Sequence, residues 1–211
     1  MVDLQDQHEY WDRVANDKTF THPIDLQLLQ RYVDNDACIL DYGCGYGRVV
    51  QLLADAGFTN AIGYDTSERL IARGRASGVS NIFHTTGELP IAGNSVDCCL
   101  LFAVLTCIPA NSSQREVIES LHAKLKPGGI LYVSDYYLQT VSDEVGSYSY
   151  LDDDPGNYGV FTLPEGATFR HHTHDWIRSL LQEFTMLEES AIVVQTMNGH
   201  KANGFQLVAQ K

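Results

Sequence analysis

Ile39-Leu40-Asp41-Tyr42-Gly43-Cys44-Gly45-Tyr46-Gly47-Arg48-Val49-Val50 is an apolar run that ends in an acid, continues through three alternating glycines and opens into an apolar helical pattern. Glycine tolerates backbone angles closed to other residues and lets a ligand approach the main chain closely. A helix starting at Gly47-Arg48 presents an N-terminus that favours anionic groups. A strand, a tight glycine turn and a helix in this order form the first unit of an open α/β sheet with a ligand at the turn. A tight connection that binds nothing is the alternative.

The spacing separates the possible ligands. A dinucleotide turn needs G-x-G-x-x-G, and the sixth position from Gly43 is Arg48, so the third glycine comes one place early. Asp41 places a carboxylate at the end of the strand, which suits a ligand carrying positive charge and opposes a pyrophosphate. Downstream, Val49, Val50, Leu52, Leu53 and Ala56 keep helical spacing up to Gly57, and a second strand reads Ala61-Ile62-Gly63-Tyr64-Asp65. Asp65 lies eighteen residues beyond Gly47, where an acid can accept hydrogen bonds from ribose hydroxyls. Asp65-Thr66-Ser67 also reads as the cap of a helix over Glu68 to Ala76.

Asp41, Gly43, Gly45 and Gly47 match (D/E)-x-G-x-G-x-G, and the segment resembles motif I of the class I S-adenosylmethionine-dependent methyltransferases. The resemblance continues in order through residues 38 to 135. Asn81 to Thr86 reads as a third strand leading into Gly87-Glu88-Leu89-Pro90-Ile91, like the family's adenine segment. Four residues before Leu-Pro the family commonly has Asp, and here stands Thr85. Asn94 to Leu105 is similar to the fourth-strand motif, with an apolar strand of the kind buried on both faces. Leu121 to Val133 is similar to the helix, Pro-Gly-Gly turn and fifth strand that follow. The resemblance implies a Rossmann-like three-layer α/β sandwich, a seven-stranded, mostly parallel sheet with the last strand antiparallel. Met186 to Thr196 and Phe205 to Ala209 would supply the last two strands. It also implies S-adenosyl-L-methionine as cofactor, with S-adenosyl-L-homocysteine as product. Asp41, Gly43, Cys44, Gly45, Asp65, Thr66 and Phe102 are then expected at the cofactor, with adenine met by Thr85, by a backbone amide near Thr86 or Gly87, or by Glu88.

Bulk properties bound the rest. With 211 residues, 44% of them hydrophobic, and no compositional break, the chain suits one domain over residues 1–211. No apolar run reaches a membrane span and the first residues are polar and acidic, so no anchor or signal peptide is expected, and the expected location is the cytosol. Cys38, Cys44, Cys98, Cys99 and Cys107 have no metal-ligand spacing and read as free thiols. In strand geometry the adjacent Cys98 and Cys99 point to opposite faces. A net charge of −13 with only fourteen Lys and Arg disfavours DNA or large RNA. The end of the fourth strand, Phe102-Ala103-Val104-Leu105, lacks the (D/N)-P-P-(Y/F) of base-amine methyltransferases, and Cys107-Ile108-Pro109 lacks the Pro-Cys order of cytosine-C5 enzymes.

Substrate information should lie outside the cofactor core. An N-terminal segment, about residues 1–35, carries Tyr10-Trp11 and Phe20-Thr21-His22-Pro23 before a helix from Ile24 to about Val33, and has the character of a lid. Tyr10 and Trp11 either contact the methionine end of the cofactor or pack the segment onto the core. An insertion of about residues 136–170 holds Tyr148, Tyr150, Tyr158, Phe161 and the acidic Asp152-Asp153-Asp154, and its place after a strand end suits a substrate cover. The acidic run is either a solvated loop face or an attractor for a cationic substrate. His171, His172 and His174 invite a metal, but their spacing at a helix start, with Thr173 or Asp175 as N-cap, argues against one.

A sulfonium is an activated methyl donor, so the protein must mainly align the nucleophile and exclude water. If a base is used, His171 is the first candidate, with Tyr136, Tyr137 and Asp135 beside it. The expected activity is methyl transfer to a small-molecule O, N or S nucleophile. The rivals are an RNA- or protein-modifying enzyme, a non-catalytic cofactor-binding protein of the same fold and, last, a nicotinamide oxidoreductase. No motif encodes the acceptor atom, the pathway or the oligomeric state.

Overall fold

A computed structural model of the protein describes residues 7–139, 150 and 158–211. The glycine-turn strand is β1 (Ile39–Tyr42), followed by β2 (Ala61–Asp65), β3 (Ile82–His84), β4 (Val96–Phe102) and β5 (Leu125–Tyr136). The chain adds a short hairpin, β6 (Val160–Thr162) and β7 (Thr168–Arg170), then β8 (Thr185–Gln195) and β9 (Lys201–Gln210). The seven-stranded sheet has the order β3-β2-β1-β4-β5-β9-β8. β1 to β5 are mutually parallel, and β9 runs antiparallel to both β5 and β8. The expected Rossmann-like α/β sheet with an antiparallel last strand is the observed one.

Strand alternation builds two cores. Ile39, Cys98, Leu100, Phe102, Ile130 and Tyr132 pack on one face with Val49, Leu53 and Ile71, whereas Leu40, Cys99, Leu101, Leu131 and Val133 pack on the other with Ile118, Leu121, Ile177 and Leu180. The first face is covered by α2 (Leu26–Gln30), α3 (Arg48–Asp55) and α4 (Glu68–Ala76), the second by α5 (Asn111–Lys124) and α6 (His174–Leu180). Cys98 and Cys99 point to opposite faces, as strand alternation requires.

Local signals act where the sequence places them. Ser67 Oγ accepts from Leu70 N at the start of α4, and Thr173 Oγ1 from Trp176 N at the start of α6. The helix expected from Ile24 to about Val33 is shorter, because Asp25 caps it and only Leu26–Gln30 is helical. Pro127-Gly128-Gly129 does not precede β5 but lies within it as an irregularity. Val96 pairs with Leu125 while Cys98 pairs with Ile130, and Gly128 takes a φ of 79° to absorb the extra residues.

The N-terminal segment is fastened to the body at several points. Helix α1 (His8–Val14) carries Asp12, whose Oδ1 accepts from Ser67 Oγ at 2.6 Å and Arg69 N at 3.1 Å, adding a second cap to α4. Arg73 of α4 donates to the carbonyls of Ala15 and Lys18. Thr168 N donates to Gln7 Oε1, and Lys18 reaches Asn198 in the β8–β9 turn.

Candidate functional site

A cavity of about 1090 Å³ opens at the C-terminal ends of β1, β2, β4 and β5. That is where ligands bind in open α/β sheets, and the volume lies just above the range of about 300–1,000 Å³ for small-molecule sites. The N-terminal segment, the β6–β7 hairpin and the β8–β9 turn roof it, through Trp11, Phe20, Leu163, Phe169, Met197 and His200 among others.

At the floor, the glycine turn uses its own amides. Gly43 N and Cys44 N donate to the Tyr64 carbonyl, Gly45 N to Asp65 Oδ2 at 2.7 Å and Gly47 N to the Cys44 carbonyl. These N–H groups therefore fix the turn and aim Asp65. Gly43, Gly45 and Gly47 have φ of 71°, 56° and 80°, and a Cβ on Gly45 would stand 2.1 Å from the Phe20 ring, so the turn is as bare as its sequence requires.

Asp65 accepts Ser67 N through Oδ1 at 2.8 Å and Gly45 N through Oδ2. A carboxylate has about four acceptor positions, so each oxygen keeps capacity toward the cavity that it lines. Desolvation raises its pKa above the usual carboxylate range. Asp41 is 2% exposed, and its Oδ2 has no hydrogen-bond partner in the structure. Its pKa rises to about 8 because it is desolvated, with nearby Arg48 acting the other way. Arg48, the first residue of α3, also lines the cavity; it donates to the His22 carbonyl, and its Nε is buried without a partner.

These residues fit S-adenosylmethionine. A buried carboxylate with an unused oxygen suits an ammonium, the adjacent guanidinium suits a carboxylate, and the Asp65 oxygens suit a ribose diol. Thr66, Thr85, Gly87 and Phe102 continue the wall from β2 and β3 to β4. Thr85 Oγ1 donates to the Glu88 carbonyl, which leaves its oxygen able to accept from an exocyclic amine.

Of the residues anticipated from the sequence, Asp41, Gly43, Cys44, Asp65, Thr66, Thr85, Gly87, Phe102, Trp11, Tyr136 and His171 line this cavity. Gly45 lies under Phe20, and Thr86 is exposed outside the wall. Tyr10 is placed differently from its cofactor-contact reading. It packs with Phe161, Ala167 and Phe169 in a satellite cluster, because Trp11, next to it on α1, takes the side turned to the cavity. The acidic run 152–154 and Tyr148 lie outside the described residues.

The base candidates separate by strand parity. Tyr136 continues the face of Tyr132 and Ser134, whereas Asp135 follows Val133 to the other face. There Asp135 accepts Thr106 N at 3.1 Å and Tyr136 N at 2.8 Å, and desolvation lifts its pKa to about 7. Tyr137 is also outside the cavity wall, with its hydroxyl donating to Glu189 and its ring stacked on His174. His171 stands 5.5 Å from the Tyr136 ring and 4.7 Å from Phe161, with Nδ1 engaged by the Tyr150 hydroxyl at 2.9 Å. His172 is buried between Gln114 and the Tyr136 carbonyl. His174 is exposed beside Glu189. The three histidines diverge, and no metal-binding group occurs among the described residues.

His22 joins the cavity without having been anticipated there. It is 4% exposed, its Nε2 lies 2.7 Å from Ser134 Oγ, and its ring edges onto Tyr136 at 5.0 Å and Phe102 at 6.4 Å. Its Nδ1 is buried without a partner. Desolvation first, and Arg48 second, depress its pKa to about 3, and desolvation does the same for His171. Both imidazoles are therefore neutral at physiological pH. The only sequence sign for His22 is its place, just before Pro23 in the segment between two helices.

Ala103, at the end of β4 in the cavity wall, has a φ of 54°, and its amide is held by the Ser134 carbonyl. A left-handed alanine is strained by about 1–2 kcal/mol, a cost that clusters at functional sites.

Comparison with known proteins agrees with this geometry. Residues 40–133 match the model of a methyltransferase domain family. The ribosomal protein L11 methyltransferase of Neisseria gonorrhoeae is 30% identical over 141 residues, which is 65% of this chain and 46% of that protein. The one from Dechloromonas aromatica is 25% identical over 138 residues, 62% and 44%. The chain thus spans less than half the length of the curated relatives it matches. Among solved structures, an S-adenosylmethionine-dependent methyltransferase from Methanosarcina mazei superimposes with a TM-score of 0.75 at 24% identity, covering 87% of this chain and 96% of that one. The 1,6-didemethyltoxoflavin-N1-methyltransferase of Burkholderia thailandensis, crystallised with 1,6-didemethyltoxoflavin and S-adenosylhomocysteine, gives 0.62 at 16% identity, covering 88% and 75%. Those two structures share the fold. Residues 40–133 thus match a methyltransferase domain, and with the glycine turn, the paired acids at the ends of β1 and β2 and this sheet order the chain has the fold of the class I S-adenosylmethionine-dependent methyltransferases.

Proposed function

We propose that the protein transfers the methyl group of S-adenosylmethionine to a small-molecule acceptor held between the ends of β4 and β5 and the β6–β7 hairpin. The observation that carries this reading is the continuity of the cavity from Asp41 and Asp65 to Phe161, Phe169 and His171 under a three-part roof. It offers room for two small molecules together and shelters their meeting point from water, which strengthens every electrostatic contact inside.

When bound, the cofactor supplies a methyl group already activated by a sulfonium. Asp41 holds the ammonium of its amino-acid end and Arg48 the carboxylate, while Asp65 fixes the ribose and Thr85 with Gly87 borders the adenine. Phe102 and the left-handed Ala103 shape the wall where the two molecules meet. Tyr136 and His171 contact the acceptor, with the His171 ring held through its Nδ1 by the Tyr150 hydroxyl. Alignment and water exclusion of this kind are worth up to about 7–11 kcal/mol of barrier.

The curated relatives are named for acting on a ribosomal protein, so a macromolecular acceptor is the reading to test against. Methyl-labelled S-adenosylmethionine is incubated with the protein and a cell extract divided into small-molecule and macromolecular fractions. Label in the small-molecule fraction supports the proposal. Label in the macromolecular fraction alone refutes it, and binding of S-adenosylhomocysteine with no labelled product points to a non-catalytic cofactor-binding protein.

A further inference from the structure

We propose that His22 is the proton acceptor of the reaction, taking through Nδ1 the proton of an acceptor molecule that enters uncharged and carries an O–H or N–H nucleophile. The inference rests on the methyl-transfer reading above and adds the chemical class of the acceptor and the residue that deprotonates it.

Three observations carry it. First, His22 lines the cavity, and its Nδ1 is the one imidazole nitrogen that is buried and unpartnered among the described residues. A buried polar atom without a partner is costly and calls for an explanation. A donor on the ligand supplies one. Second, the ring is held for this role. Ser134 Oγ at 2.7 Å engages Nε2, and when Nε2 carries the proton, Nδ1 is left as an acceptor. Tyr136 from β5 and Phe102 from β4 meet the ring edge-on, and the His22 carbonyl is tied to Arg48. These contacts fix a residue of the N-terminal segment over the ends of the two strands where donor and acceptor meet.

Third, the charges of the wall select the acceptor. Arg48 is the one lysine or arginine among the described residues lining the cavity, and it stands beside Asp41 at the cofactor end. Glu116 and Glu165 line the remainder. The segments 140–149 and 151–157 contribute no lysine or arginine either, by sequence. An acceptor entering as a carboxylate, phosphate or thiolate finds no lysine or arginine there among the described residues, and burying an unpaired anion is strongly unfavourable. A neutral molecule faces no such penalty, and the rings of Phe161, Phe169 and Tyr136 give it an apolar, aromatic bed.

The charge balance explains how so weak a base can serve. The acceptor's X–H proton passes to Nδ1, the X lone pair forms the new bond to the methyl carbon, and the C–S bonding pair remains on sulfur. One positive charge leaves the sulfur as one appears on the imidazole, so the buried cavity carries the same net charge before and after. The imidazolium then gives its proton to water when the product leaves. Desolvation first, and the Arg48 cation from α3 second, keep the ring neutral in the resting protein.

The first test needs no acceptor. Protein labelled with ¹⁵N-histidine and saturated with S-adenosylhomocysteine is followed by long-range ¹H–¹⁵N spectroscopy from pH 5 to 8, with His22 assigned by its loss in His22→Gln. The expected result is a neutral ring with the proton on Nε2 throughout; a proton on Nδ1, or titration near the usual histidine value, overturns the proposal. The second uses the labelled small-molecule fraction. His22→Ala should reduce the initial rate by roughly 10²–10⁴-fold while the S-adenosylhomocysteine thermal shift is kept, and added imidazole should restore part of the rate. An unchanged rate overturns the role of His22. Wild-type protein that labels no small molecule overturns the methyl-transfer reading instead, with the tautomer experiment still deciding the state of His22.

Discussion

Binding of S-adenosylhomocysteine should tighten steeply with pH, because Asp41 must change its protonation state to bind an ammonium. In the free protein desolvation raises its pKa to about 8, so at pH 7 roughly nine molecules in ten carry the proton on Asp41. The ammonium of the ligand favours the ionised form, so binding releases that proton. With a free-state pKa near 8 the affinity then rises nearly tenfold per pH unit below it, or roughly 25-fold between pH 6 and pH 7.5, which is about 1.9 kcal/mol. Titration calorimetry in two buffers of different ionisation enthalpy reads both the affinity and the proton release. Asp41→Asn keeps the shape but cannot ionise, and its affinity should be weaker and level across this window. The free protein should behave in the opposite sense. An acid whose folded pKa exceeds its unfolded value near 3.8 costs stability as pH rises from about 4 to 8, so the melting temperature without ligand should fall over that range as the ligand-induced shift grows. A level wild-type affinity, or an unchanged slope in Asp41→Asn, would refute the assignment of Asp41 to the ammonium.

Three further outcomes follow from the same geometry. Asp65→Ala removes two charge-assisted contacts to the ribose at about 1.5–3 kcal/mol each, so S-adenosylhomocysteine at 100 times its wild-type Kd, which stabilises the wild type by about 2.7 kcal/mol, should barely shift the mutant in a thermal melt; a full shift would sink the ribose role. Gly45→Ala places a methyl 2.1 Å from the Phe20 ring at a φ of 56°; the left-handed cost of about 1–2 kcal/mol predicts a melting temperature lower by about 2–8 °C, with the further loss due to Phe20 recovered in a background of Phe20→Ala. His171→Ala should lower turnover of the labelled small-molecule fraction across neutral pH without altering S-adenosylhomocysteine affinity, and turnover equal to wild type would remove His171 from the acceptor site.

The cofactor half of the site was legible because it is local. Asp41 to Gly47 is one strand end and one turn, and the distance to Asp65 is set by a single helix, so spacing alone placed both acids in one wall. Strand alternation was equally legible, and it put Cys98 and Cys99 on opposite faces. It had also been enough to separate Tyr136 from Asp135 and Tyr137, had parity been followed to the end of β5. Tyr10 and Trp11 were harder, since neighbours on a short helix differ in facing by an angle that only the docking of α1 on α4 fixes.

His22 and Arg48 mark the boundary between the two kinds of information. Glycine spacing and periodicity determined the strand, turn and helix that receive the cofactor, and the ordered motifs implied the mostly parallel sheet, because these depend on backbone conformation and on which face each residue presents. Which imidazole keeps an unpartnered nitrogen in the cavity was decided by tertiary structure alone. His22 lies 112 residues from Ser134, and its burial, neutral charge and orientation arise only when the N-terminal segment closes over the ends of β4 and β5. Desolvation and hydrogen-bond partnership belong to the packed molecule, so no local pattern announces them.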